Sequence, residues 1–127
     1  MPLDATAPVL AIVIDPSDEV ASVRPVSANV PGTIANMING PIEAIDLDGG
    51  SVLWMNESGK ELALPTNLLA TKIAHRLHAG LFPDDTINGR AVIVGDEVGP
   101  TGDLVSGDVT DGTLQALRQI GVDVIPG

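Results

Sequence analysis

The sequence predicts an α+β fold: a small, mainly antiparallel sheet packed against one principal amphipathic helix, with short helices besides. Three observations carry that expectation. Residues 9–14 form an unbroken apolar run of strand length, and two alternating segments flank Asp48-Gly49-Gly50. Leu69, Ile73 and Leu77 recur at the spacing of one helix face. A chain of 127 residues has the length of one ordinary domain. No internal repeat or long linker divides it, so residues 1–127 read as a single domain.

Val9 to Ile14 reads as a strand covered on both faces, because neither alternate position is polar. Asp15-Pro16-Ser17-Asp18 is turn chemistry: Pro presets φ, and the Asp side chains can bond nearby backbone. Glu19 to Val26 follows as a second strand. Pro25 has no N–H to give a ladder, which places that strand at an edge or ends it there. Thr33 to Asn39 reads as a short helix, capped by Thr33 and stopped by Gly40-Pro41.

Ile42 to Leu47 and Ser51 to Asn56 are the arms of the clearest hairpin, with Trp54 on the second arm. Glu57-Ser58-Gly59 turns the chain into a short segment, Leu62 to Leu64, closed by Pro65. The main helix is expected from Leu68 to about Ala79, with Asn67 as N-cap and Gly80 beyond its end. Ala70 and Ala74 widen its apolar stripe, and Lys72, His75 and Arg76 lie opposite. Ala91 to Val94 is a further buried strand. Residues 95–112, with five glycines and five acids, read as a long Gly/Asp-rich loop. Thr113 then caps a last helix carrying Leu114, Leu117 and Ile120.

Composition narrows the function. Seventeen acidic against six basic residues leave a net charge of −11, while 44% of the chain is hydrophobic, enough for a core. Such a charge repels nucleic-acid phosphates and anionic membrane surfaces, so no direct nucleic-acid or membrane partner is expected. No apolar run approaches the roughly 20 residues of a spanning helix. The Met-Pro-Leu-Asp start lacks the basic region of a secretory signal, which points to a cytoplasmic protein. Without cysteine there is neither a thiolate nucleophile nor a sulfur-ligated zinc site.

No catalytic, metal or cofactor constellation emerges from the spacing. His75 and His78 stand at i, i+3 on the polar side of the main helix and read as solvated, without a third ligand at a recognisable spacing. No serine sits in a Gly-x-Ser-x-Gly elbow. Asp84-Asp85 and Asp96-Glu97 are adjacent acids in turns, where nothing desolvates one of them for general acid work. The Gly95 to Gly102 stretch carries carboxylates where a phosphate would lie. Asp103, Asp108 and Asp111 lack the order of a calcium loop.

The most specific segment is Trp54-Met55-Asn56-Glu57-Ser58-Gly59-Lys60, continuing through Leu64-Pro65-Thr66-Asn67. Turn and cap chemistry explains its polar residues without any function. A functional reading has Asn56, Glu57, Lys60 and Asn67 converge at one end of the sheet as a ligand or partner surface. There the helix N-terminus and Lys60 would suit an anionic or carbonyl group.

Asn56-Glu57-x-Gly59-Lys60 followed by Leu64-Pro65-x-Asn67 resembles a family known as domain of unknown function 3846. The main resemblance covers Ile42 to Gly95, including the Ala70-Thr71 step and the Asn88-Gly89 to Val94-Gly95 strand. The first strand with Asp15-Pro16 extends it toward the N-terminus. It implies a small protein encoded on phages, plasmids and bacterial chromosomes of the Gram-positive, high-GC branch, and it carries no activity with it. This chain differs in lacking a Gly near Pro16 and in its longer tail past Gly95. The expectation is therefore a non-catalytic binding or accessory protein. Two alternatives stand beside it: an acidic inhibitor that imitates DNA, and a small hydrolase using His75 or His78. The acids divide evenly, eight from Asp15 to Glu61 and eight from Asp84 onward, so no acidic block stands out.

Overall fold

The computed structural model describes residues 7–77, 80–99 and 101–127. Strands β1 (Val9–Ile14), β2 (Ala21–Val26), β3 (Ile42–Leu47), β4 (Ser51–Asn56), β5 (Ala91–Val98), β6 (Leu104–Gly107) and β7 (Val124–Pro126) join one seven-stranded sheet. Its order is β3-β4-β5-β1-β2-β7, with β6 beside the far half of β5. Every pairing is antiparallel except β2 with β7. Helices α1 (Thr33–Ile38), α2 (Leu68–Arg76) and α3 (Asp111–Gln119) complete the α+β fold.

Two apolar layers form because the central strands alternate between faces. Ile12 and Ile14 of β1 join Ala91 and Ile93 of β5, Leu53 of β4, and the stripes of α2 and α3. Ala11 and Val13 point the other way, with Val92 and Val94, beneath Ile34 and Ile38 of α1. The expectation of a first strand covered on both faces is met: residues 11–14 are wholly buried. On α2 the predicted stripe is the packed one. Ala70, Ile73, Ala74 and Leu77 are buried and Leu69 is half-buried. A side chain of Ile73's size contributes about 2 kcal/mol by leaving water.

The hairpin arms at 42–47 and 51–56 agree residue for residue with the expectation. Gly49 and Gly50 turn it with φ of 95° and 90°, which L side chains resist. A Cβ on Gly49 would also meet the Thr113 nitrogen at 2.6 Å, so α3 could not begin where it does.

Several expectations are corrected. Residues 95–112 are not a long loop. β5 continues to Val98, turns, and returns as β6, and α3 starts at Asp111. The composition misleads because the strand state of this stretch comes from its ladder, Gly95 with Gly107 through Val98 with Leu104. Thr110, not Thr113, is the N-cap of α3: its hydroxyl accepts from the Thr113 N–H at 3.1 Å. Thr113 lies fully buried instead, with its hydroxyl donating to the Asp48 carbonyl at 3.2 Å.

Gly32 rather than Thr33 occupies the N-cap of α1, in a left-handed conformation and with no side-chain cap. β2 begins at Ala21, not Glu19. β7 pairs with residues 21–23, and from Arg24 to its end at Val26 the strand is an edge among the described residues, as Pro25 requires. Pro25 sits beyond that pairing, where a missing N–H costs nothing. Among the described residues α3, with nine residues, is as long as α2. Within the described residues α2 ends at Arg76, with Leu77 as C-cap, and the expected end at Ala79 lies outside them.

Candidate functional site

The ends of β1 and β4, the start of β5 and the start of α2 lie at one end of the sheet. All four residues singled out from the sequence, Asn56, Glu57, Lys60 and Asn67, are placed there. They divide into two kinds.

Asn67 is fully buried and its amide is spent. Its Oδ1 accepts from the Ala70 N–H at 3.0 Å, the N-cap of α2. Its Nδ2 donates to the carbonyls of Ile14 at 3.0 Å and Gly89 at 2.9 Å, and its own N–H donates to Ile87 at 2.8 Å. Asn56 is likewise buried. Its Oδ1 accepts from the Ser58 N–H at 2.8 Å, shaping the turn, and its Nδ2 lies 3.4 Å from the Ile38 carbonyl at the end of α1. Both asparagines are bonded inward.

Glu57 and Lys60 are exposed. The turn that carries them lies flat on residues 86–89, since a Cβ on Gly59 would come within 2.5 Å of the Asn88 carbonyl. Asn88 fastens the contact by donating to Leu64 at 2.9 Å and accepting from the Thr86 hydroxyl at 2.8 Å. Lys60 forms an ion pair with Asp85 across this seam. Asp85 in turn donates its N–H to the Phe82 carbonyl at 2.9 Å, so Phe82 stands one turn away. Phe82 is 78% exposed and Leu62, two residues from Lys60, is 56% exposed. A second fastening sits on the opposite side of the sheet end, where Arg90 Nε donates to Asp15 at 2.6 Å and Arg90 Nη1 to the Met37 carbonyl at 3.2 Å.

Asp85, Asn88, Phe82 and Leu62 were not reached from the sequence. Asn88 had a signal in its Asn-Gly dipeptide, and Asp85 was visible only as half of an acidic pair. Nothing local marks the two apolar side chains as exposed.

His75, with Ala74, Gly80 and Leu81, lines a hollow of about 250 Å³. Its Nε2 lies 2.7 Å from the Asp85 backbone oxygen. A carbonyl only accepts, so Nε2 carries the proton. The partner at that nitrogen is thus a backbone carbonyl, not a carboxylate. His78 lies outside the described residues. Among the described residues no three His, Asp or Glu side chains gather as metal ligands would, and no helix is long and apolar enough to cross a membrane.

The site is thus one end of an α+β sheet with helices on both faces, where buried asparagines lie beneath exposed turns. The chain matches the family described as Domain of unknown function (DUF3846) over residues 9–117, and it belongs to that family. No curated protein and no solved structure matches it.

Proposed function

We propose that this is a non-catalytic binding or accessory protein of phage or mobile-element origin, acting in the cytoplasm on a protein partner. The observation that carries the reading is the pair of exposed apolar side chains, Leu62 and Phe82, flanking the Lys60–Asp85 ion pair. Apolar anchors beside a charged pair, on loops held by a rigid base, are the composition of a recognition surface. In this reading Glu57 and Lys60 face the partner, and Asn56 and Asn67 hold their turn and the adjoining helix in place.

The test is capture on the immobilised protein, with the bound proteins identified and then titrated singly. Lys60→Ala with Glu57→Ala, and separately Phe82→Ala, should abolish binding of the captured partner while far-UV circular dichroism stays unchanged. Undiminished binding by both variants places the surface elsewhere.

One arrangement favours a second reading, the imitation of DNA. Asp96, Glu97, Asp103, Asp108 and Asp111 are all exposed on the β5–β6 hairpin and the start of α3, and no Lys or Arg lies between Arg90 and Arg118. A mimic should bind a host DNA-binding enzyme in a salt-sensitive way and be displaced by duplex DNA. Replacing Asp96, Glu97 and Asp103 by Asn or Gln would then release it.

A further inference from the structure

Antiparallel register fixes which backbone groups of β3 are used. Glu57 donates to the Pro41 carbonyl at 2.9 Å, continuing the ladder in which Ile42 pairs with Asn56 and Leu47 with Ser51. Bonded and non-bonded pairs alternate along such a ladder. Residues 43, 45 and 47 therefore bond to β4, while Ile42, Ala44 and Asp46 turn their N–H and C=O groups away from the sheet. Among the described residues nothing hydrogen-bonds to those groups.

The outer edges of β7 and β6 offer less. β7 has three residues and ends in Pro126, which has no N–H. On β6, the Asn29 amide donates to the Ser106 carbonyl at 2.8 Å and accepts from the Ser106 N–H at 2.8 Å. A side chain there takes the place of a neighbouring strand. β3 has six residues, no proline, and exposed side chains at Ile42, Glu43, Ala44 and Asp46.

Charge selects what can pair with it. A second copy would bring a strand that carries Glu43 and Asp46 and no Lys or Arg, on chains that each carry −11. A strand bearing Lys or Arg gains where that copy loses. We propose that β3 is a strand-addition site for an extended basic segment of a partner protein, held by the outward backbone of Ile42, Ala44 and Asp46 and selected by the carboxylates of Glu43 and Asp46. This surface is distinct from the one at Leu62 and Phe82 and does not depend on it.

Glu43 and Asp46 project from opposite faces of β3, so the probe is a capped octapeptide Val-Lys-Lys-Val-Val-Lys-Lys-Val, which carries Lys on both faces. Trp54, the one tryptophan, pairs with Ala44 across the hairpin, so its fluorescence reports the edge. Binding should shift that fluorescence and slow amide exchange at Ile42, Ala44 and Asp46. Ala44→Pro removes an outward N–H without touching the ladder to β4, and should weaken binding about tenfold or more. Glu43→Lys with Asp46→Lys should lose the Val–Lys peptide and accept a Val–Glu one. Equal binding by Ala44→Pro, exchange protection elsewhere, or equal binding of a proline-interrupted peptide of the same charge would overturn the proposal. So would dimerisation of the chain through a protected β3. If Ala44→Pro fails to fold, the charge-reversed variant and the interrupted peptide decide.

Discussion

The Asn67 side chain donates to the Ile14 carbonyl at 3.0 Å across 53 residues of sequence, tying the first turn of α2 to the end of β1. The same amide caps the helix and holds Gly89. One buried side chain thereby fastens three segments that the candidate surface rests on.

As an N-cap alone, Asn67→Ala would cost about 1 kcal/mol. The structure raises that expectation to about 2–3 kcal/mol, because the buried donations to the Ile14 and Gly89 carbonyls are lost with the cap. Asn67→Asp keeps the cap but cannot donate, and it sets a carboxylate against two carbonyls. Urea unfolding should rank it no better than Asn67→Ala. If Asn67→Asp matches the parent chain, the two donated bonds contribute nothing.

Lys60→Ala should barely change stability. The lysine side chain is 57% exposed in its ion pair with Asp85, and such pairs contribute about 0–1 kcal/mol. A midpoint shift larger than that in the same unfolding experiment would mean that Lys60 packs structurally rather than serving recognition.

Gly95→Ala should be costly although its backbone is ordinary. An added Cβ would lie 2.0 Å from the Asp108 carbonyl oxygen. That segment cannot easily retreat, since Leu10 donates to Asp108 Oδ1 at 2.8 Å and Val109 donates to the Leu10 carbonyl at 2.8 Å. A loss of about 2–3 kcal/mol is expected, with faster amide exchange in β6. A neutral result would show that β6 is not held closely to β1.

Thr110→Val tests the corrected start of α3. The hydroxyl accepts from the Thr113 N–H and lies 2.5 Å from the Gly49 carbonyl, so it joins the helix to the β3–β4 turn. Its loss should cost about 1–2 kcal/mol. Thr110→Ser should recover most of it, measured by thermal unfolding.

Legibility differed between parts of the molecule. The arms around Asp48-Gly49-Gly50, the first strand and the stripe of α2 were all readable, because each announces itself within a few residues by period or turn chemistry. The 95–112 stretch was not. Its glycines and acids look like a loop until Gly95–Val98 find partners in Leu104–Gly107 and Asn29 closes the outer edge. β7 escaped for the same reason: its three residues become a strand by lying parallel to Ala21–Val23.

At the candidate site the sequence by itself determined which residues were polar, where the turn fell, and that Asn67 began a helix. Local sterics and capping suffice for that, and composition alone gives the net charge of −11. Only the tertiary structure decided that Asn56 and Asn67 turn inward while Glu57, Lys60, Leu62 and Phe82 stay in water. It alone also decided that, among the described residues, β3 has a strand neighbour on one side only. The physical reason is that burial and strand pairing belong to contacts between distant segments, and a side chain's local chemistry does not say which carbonyl will reach it.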